Sequence, residues 1–302
     1  MKATQAVLTL LSPGMHTLVV DHGRPRTRSL GVPVGGAADR LALALGNALV
    51  GNPPDAAALE CSLVGPTLQA DVPLACVVFG APFEVRTDRR PLGAGATFTL
   101  QPGERLHVGG TPRRVRAYFC VAGGIDAPVV LGSRSSLAPL RAGDRLACRA
   151  GETAGRRIDE GPLERFYGGR LRVLPGAQAG WFPGSALAGA FETTAAGNRM
   201  GLRLRGAPLP VGQAELPSEP VCPGTVQVTR DGQCIVLGVD GQTIGGYPKL
   251  AQVIRADLDR LAQLRPGEPV RFVPVDLAAA ERAAREKDEV LREWRTRLEV
   301  TA

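Results

Sequence analysis

The chain has 302 residues, with 36 Lys+Arg against 29 Asp+Glu and a formal net charge of +7. The excess is spread without a long single-sign run, which favours a solvated Arg-rich surface over a nucleic-acid footprint, and 4% aromatics argue against base-stacking platforms. Hydrophobic residues at 44% and charged residues at 22% mark a globular chain long enough for two domains, and 38 Gly with 25 Pro favour many short strands joined by turns.

In chain order, Val7–Leu11 and Thr17–Val20 read as strands around Ser12-Pro13-Gly14. Residues 21–40 are loop-like and rich in Gly, Pro and Arg. A helix is predicted over Asp39–Val50, with Asp39 as N-cap, Gly51 at the stop and an apolar face of Leu41, Leu45, Ala48 and Leu49. Asp55 is a candidate cap for a short helix Ala56–Leu59, and Glu60 then lies between apolar stretches. A buried carboxylate there needs a partner or a raised pKa; an ordinary helix-end Glu is the alternative. From Leu63 to Leu146 the pattern is strand and turn, with runs at Leu74–Phe79, Phe83–Arg86, Arg105–Val108, Val115–Val121 and Arg145–Cys148.

Residues 151–169 are polar, Gly-rich and aperiodic, and read as a linker between residues 1–150 and residues 170–302. The second half has strands at Leu171–Leu174, Gly201–Arg205 and Val270–Val275, and a helix candidate around Ser185–Phe191. A hairpin, Thr225–Thr229 with Cys234–Val239, surrounds Arg230-Asp231-Gly232, and a charged helix Leu277–Leu298 closes the chain. Its Leu277, Ala280, Ala284, Leu291, Trp294 and Leu298 recur on one side. A Pro or small residue, then Gly, then Asp or Glu, then a strand occurs at 102–108, 142–148 and 266–273, which suggests two halves of one β-rich design.

The most informative stretch is Asp240–Lys249, DGQTIGGYPK. It joins the strand-like Cys234–Val239 to a run with apolar residues at Leu250, Val253, Ile254, Leu258, Leu261 and Leu264, a spacing that predicts a helix from Lys249 to Leu264. Pro248 suits a first helical turn, and Gly245 and Gly246 can take positive φ. A helix start there, with Lys249 beside it and Asp240, Gln242, Thr243 and Tyr247 nearby, favours a carboxylate, carbonyl oxygen or phosphate; a tight turn without ligand is equally compatible. Arg24, Arg134 and Arg199 each sit in a Gly- or Ser-bearing loop, where a guanidinium suits an anionic ligand or a structural carbonyl.

Cys61, Cys76, Cys120, Cys148, Cys222 and Cys234 show no CxxC spacing and read as reduced core residues. His16, His22 and His107 form no metal-ligand pattern, so no metal is expected. There is no GxxxxGK[ST], no GxGxxG after a strand, no GxSxG and no Met-Lys-Met for biotin attachment. Without a leader or long apolar run, a cytoplasmic protein is expected.

Ten segments in order are similar to one known family: DHGRP, GVPVGGAAD, ALGNALVGNP, AALECSLVGPTL, YFCVAGGI, LGSRSS, GNRMGLRLRG, GTVQV, DGQTIGGYPKLAQVI and DLDRLAQLRPGEPVRF. The chain resembles the family of allophanate hydrolase subunit 2, the 5-oxoprolinase C subunit, the carboxyltransferase domain of urea carboxylase and the antagonist of the sporulation-kinase inhibitor. The resemblance implies a mainly β fold with a few helices, as tandem cyclophilin-like β-barrel domains. It also implies a B-subunit-like partner of the allophanate hydrolase subunit 1 family, an A-subunit-like protein, and ATP used in the complex.

Three departures stand out: Leu137-Ala138-Pro139-Leu140 replaces a longer Gly-rich stretch, Gly197 replaces the family's Ser, and Pro220 replaces the Gly of Ser-Glu-Gly. The activity implied first is opening of 5-oxoproline to glutamate. In it Lys249 with the Gly245 and Gly246 amides polarises the carbonyl or a phosphorylated intermediate, Arg199 or Arg24 holds the carboxylate, and Asp240 or Glu60 orients water or a proton. Arg134, Asn198, Gln242, Thr243 and Tyr247 complete the expected binding set. Carboxyl transfer from a biotin carrier in trans to urea or a related amide, and a non-catalytic antagonist, are the alternatives.

Overall fold

The computed structural model describes residues 5–151, 155–159, 161–212 and 216–300. The described residues divide into two compact units: residues 5–23, 39–151, 155–159, 161–162 and 290–300 form one, and residues 24–38, 163–212 and 216–289 the other. The chain is mainly β, with three α-helices among the described residues. No helix among them is long and apolar enough to cross a membrane.

The first unit holds strands β1 Gln5–Ser12, β2 His16–Val20, β3 Ala58–Ser62, β4 Thr67–Ala70, β5 Leu74–Gly80, β6 Val85–Thr87, β7 Pro91–Leu92, β8 Phe98–Leu100, β9 Arg105–Val108, β10 Arg116–Val121 and β11 Arg145–Arg149. They form two antiparallel sheets, ordered β11-β1-β4-β9-β6-β7 and β2-β3-β10-β5-β8. Leu8, Leu10, Leu68 and Leu106 from one sheet meet Leu59, Val78 and Phe119 from the other in one core. Helix α1, Arg40–Leu49, starts where the Asp39 side chain accepts from the Ala42 N–H and lies against β5 and β10. Every residue from Leu41 to Leu49 is buried, so the expected apolar face is widened to the whole helix. Gly46 permits the approach, because a Cβ there would lie 2.9 Å from Cys120 Sγ.

The expected helix Ala56–Leu59 is not formed. Residues from Ala58 onward belong to β3, buried on both faces, and Glu60 pairs directly with Tyr118 of β10 and Leu18 of β2. A strand covered on both sides loses the alternation that would reveal it.

The second unit is a closed barrel of β12 Arg170–Pro175, β13 Phe191–Thr193, β14 Gly201–Arg205, β16 Thr225–Val228, β17 Cys234–Leu237, β19 Lys249–Val253 and β20 Pro269–Pro274. Their order is β12-β19-β16-β17-β14-β13-β20, and the parallel pairing of β20 with β12 closes it. A two-stranded ribbon, β15 Glu219–Pro220 with β18 Ile244–Gly245, accompanies it. Leu171, Val173, Leu204, Val226, Val228, Val236, Ala251 and Val270 fill the interior. The helix candidate around Ser185–Phe191 is only a 3-10 turn, Ala186–Ala188, before β13.

The helix expected from Lys249 to Leu264 is a strand, β19, followed by a 3-10 turn Arg255–Asp257 and the short helix α2, Leu258–Ala262. Six apolar positions fit a helical period, yet Leu250, Ala251 and Val253 are all buried in the barrel wall, and Asp257 interrupts the run. Fully buried, Asp257 accepts from Arg172 Nε at 3.1 Å, Nη2 at 2.7 Å and the Arg172 backbone N–H at 2.7 Å.

The expected C-terminal helix is present as α3, Leu277–Val300. Its buried residues include Ala283, Lys287 and Leu298, whereas Leu277 is exposed. Lys287 Nζ donates to the Ala256 carbonyl at 2.8 Å and pairs with Asp259. The repeated turns are structurally alike: Gly103, Gly143 and Gly267 have φ of 74°, 91° and 86°. Each turn closes with a hydrogen bond back three residues, from Glu104, Asp144 and Glu268.

Candidate functional site

Strand β16 alternates. Val226 and Val228 face the barrel interior, so Gln227 faces the opposite way, yet it is only 1% exposed. Its cover is the chain between β17 and β19. Both strands are antiparallel to β16 and hence parallel to each other, so residues 238–248 must run back along the barrel wall. Strand β18 lies within this return and pairs with β15 from outside it, and the ribbon is extended by the Val221 N–H to Thr243 carbonyl bond at 2.9 Å.

At the start of the return, Arg199 holds Asp240 through Nε at 2.6 Å and Nη2 at 3.0 Å. The same Nη2 donates to the Gly36 carbonyl at 2.7 Å, and the Gly35 N–H donates to the Val239 carbonyl at 2.9 Å. Arg28 donates to the Val221 carbonyl. Residues 24–38 are thereby tied to the barrel, and Gly35 leaves room for Arg24 Nη1, 3.6 Å from where its Cβ would lie. Arg24 is itself 4% exposed. Arg199 spends its donors on Asp240 and Gly36, which makes it a clasp for these loops rather than a free anion fork.

At the far end of the return, Lys249 opens β19. Its Nζ donates to Glu219 Oε2 at 2.7 Å, and its backbone N–H donates to Gln178 Oε1 at 3.0 Å. Gln178 Nε2 reaches the same Glu219 oxygen at 3.2 Å. These hydrogen bonds, that from Lys249 first, hold the Glu219 carboxyl below the usual range. Because Lys249 begins a strand, no helix start supplies free N–H groups beside it, and Gly245 and Gly246 do not adopt positive φ. An ammonium offers three donors, of which Glu219 takes one. Strand register sets Lys249 opposite Gln227, three strands around the barrel from the one Arg199 precedes; the two cations thus serve opposite ends of the return.

The remaining expected residues divide by role. Gln242 Nε2 approaches Gln227 Oε1 at 3.4 Å, and Thr243 is buried with its carbonyl in the ribbon. Tyr247 is partly exposed. Asn198 stabilises a tight turn: it exchanges backbone bonds with Gly201, and its Oδ1 accepts from Met200 N–H at 2.8 Å.

Glu60 and Arg134 belong to the first unit. Glu60, fully buried, accepts from the Tyr118 hydroxyl at 2.8 Å and lies 3.3 Å from Arg116 Nε; the Tyr118 oxygen accepts from the Asp39 N–H at 2.8 Å. Burial, then the charges of Glu60 and Asp39, push the Tyr118 hydroxyl well above its ordinary pKa. Glu60 is thus a structural anchor for the start of α1. Arg134 pairs with Asp126 at 3.0 Å, while its loop wraps Asp21. Ser133 Oγ and Ser135 Oγ donate to Asp21 Oδ1 at 2.5 and 2.6 Å, and the Arg134 N–H donates to Oδ2 at 2.6 Å. Burial raises the Asp21 carboxyl, and these donors outweigh it and hold the group below the ordinary Asp value. Arg134 also lines an open cleft of about 980 Å³ with Asp55, Asp126 and Arg149.

Burial pushes the thiols of Cys61, Cys148 and Cys234 up to about 12, which leaves them poor nucleophiles. No group of three His, Cys, Asp or Glu able to hold a metal occurs among the described residues. Sequence reasoning missed Gln178, Glu219 and Gln227 as members of the Lys249 cluster. Glu219 had a signal in Ser218-Glu219, and Gln227 had one as a polar residue in an apolar strand; Gln178, 71 residues from Lys249, had none.

The profile described as carboxyltransferase domain, subdomain A and B, matches residues 30–274. The chain belongs to the carboxyltransferase-domain family. This family member is 35% identical to the 5-oxoprolinase C subunit of Escherichia coli over 307 aligned residues, covering 96% of this chain and 98% of that protein. It superposes on the crystal structure of TTHA0988 with a TM-score of 0.81 at 35% identity, covering 90% of this chain and 56% of that one. The K. lactis urea amidolyase structure matches with a TM-score of 0.86 at 23% identity, over 95% of this chain and 20% of that one, and shares the fold.

Proposed function

We propose that this carboxyltransferase-family chain is the C subunit of an ATP-dependent 5-oxoprolinase, which opens the cyclic amide of 5-oxoproline to glutamate together with B-subunit-like and A-subunit-like companions. The observation that carries the reading is the end-to-end 35% identity with a protein of that name, with 98% of the relative covered. The chemistry at the return segment agrees with it. A lactam carbonyl needs a donor where negative charge develops, and Lys249 has two donors beyond the one Glu219 takes. Glu219 fixes the ammonium's position, and Gln178 holds both partners.

The Lys249 cluster does not suit ATP. There is no Walker-type loop, and the buried Lys249 is countered by Glu219 with no helix start beside it. Under the proposal a companion subunit binds the nucleotide, in the cytoplasm. The family description favours a second reading, carboxyl transfer from a biotin carried on another chain to urea or a related amide.

Co-purification with the companion subunits, followed by assays on 5-oxoproline and on urea, separates the readings. ATP-dependent glutamate release supports the first. Urea-dependent turnover that needs a biotinyl carrier replaces it with the second. Partner binding that exerts its effect without either turnover replaces both with a non-catalytic antagonist.

A further inference from the structure

Gln227 has a feature that its place in a barrel wall does not explain. Its Oε1 accepts from Gln242 at 3.4 Å, but its Nε2 is buried with no hydrogen-bond partner among the described residues. A buried donor left unmade destabilises the fold, and an apolar residue of the same shape would avoid that cost. The surroundings sharpen the point. A Cβ on Gly245 would lie 2.6 Å from Nε2 of both Gln227 and Gln242, so the bare backbone of the return segment rests directly on the two amides. Lys249 lies opposite Gln227 across the β16–β19 pair, and its partner Glu219 pairs through backbone with Gly245. An unused amide N–H and a partly used ammonium therefore lie under one cover. That cover is held by the two-residue ribbon and the Val221 N–H to Thr243 carbonyl bond, is anchored upstream by the Arg199–Asp240 pair, and carries exposed Ile244 and Tyr247, so its outward movement exchanges a few backbone hydrogen bonds for bonds to solvent.

We propose that Gln227 is a ligand-contacting residue. Its Nε2–H donates to a carbonyl or carboxylate oxygen of a small amide or lactam that enters beneath residues 242–247 and meets Lys249 beside it. This inference rests on the reading of Lys249 as the group that engages the substrate. It assigns the ligand two acceptor oxygens: one on the charged donor and one on the neutral amide.

The test uses Gln227→Leu in the reconstituted complex and in the chain alone, with thermal unfolding measured on both. Loss of an unpaired donor leaves the unfolding temperature unchanged or raises it, while KM for 5-oxoproline rises about tenfold with a smaller change in kcat. A purely structural glutamine gives the reverse pattern: lower stability and unaltered KM. Unaltered KM with raised stability leaves the amide an unpaired donor that no substrate uses and also overturns the proposal. If the wild-type complex does not turn over 5-oxoproline, the functional reading fails on its own. Calorimetric titration of the chain with 5-oxoproline, urea and glutamate then decides about Gln227. Binding of any of the three by wild type that Gln227→Leu weakens about tenfold upholds it; equal binding, or no binding to wild type, overturns it.

Discussion

Replacing Tyr118 with Phe removes one oxygen from the centre of the first unit. That oxygen donates to the fully buried Glu60 carboxylate and accepts from the N–H of Asp39, the residue that caps α1. Phe fits the same space, so no cavity term enters beyond the hydroxyl itself. Two penalties remain: the buried Asp39 N–H loses its hydroxyl acceptor, about 1–3 kcal/mol, and a hydrogen bond to a charge is lost, about 1.5–3 kcal/mol. Glu60 retains Arg116 beside it, and the two losses share one atom, so the lower part of the summed range applies, about 3 kcal/mol. Urea unfolding followed by circular dichroism measures the total. Hydrogen exchange read by mass spectrometry localises it, with faster exchange expected in residues 39–50 and 58–62. A loss below about 0.5 kcal/mol, the range of a neutral surface change, or faster exchange confined to the second unit, would refute the assignment of Glu60 as an anchor.

Asp21→Asn is expected to slow or prevent ordering of residues 133–136 and to flatten the acid limb of stability. The folded carboxyl titrates below its unfolded value, so its contribution is complete above the ordinary Asp range near pH 3.9 and is lost as pH falls through the lower, folded value. Wild type and variant should therefore differ by a constant amount at neutral pH and converge in strong acid; a gap that widens in acid contradicts the cradle. Lys287→Met removes the ammonium that joins α3 to Asp259 and the Ala256 carbonyl, leaving Asp259 buried without that cation. Breaking one side of a buried pair costs about 3–5 kcal/mol, and limited proteolysis should then cut within residues 277–289; unchanged resistance would show that Lys287 does not pin α3.

Much of the β framework is legible in the sequence because its strands are bounded by glycine turns. The 101–104, 141–144 and 265–268 turns announce themselves through a Gly with positive φ and an acidic residue after it. Helix α1 is legible through Asp39 and Gly51, although burial on all sides conceals which face packs. What misleads is β19. Leu250, Val253, Ile254, Leu258, Leu261 and Leu264 fit a helix because a buried strand and a short helix together imitate one period. Lys249, Asp240 and Arg199 are recognisable as loop-borne polar groups, yet the partners of Lys249 are not. Glu219 and Gln178 reach Lys249 from 30 and 71 residues away, a pairing set by barrel closure.

The most direct test of the central claim is 5-oxoproline turnover by the reconstituted complex carrying Lys249→Ala, with assembly checked by size-exclusion chromatography. Loss of a donor aimed at developing charge should lower kcat by about 10²-fold or more while the subunits still co-elute. Turnover close to wild type in an intact complex would take Lys249 out of the chemistry.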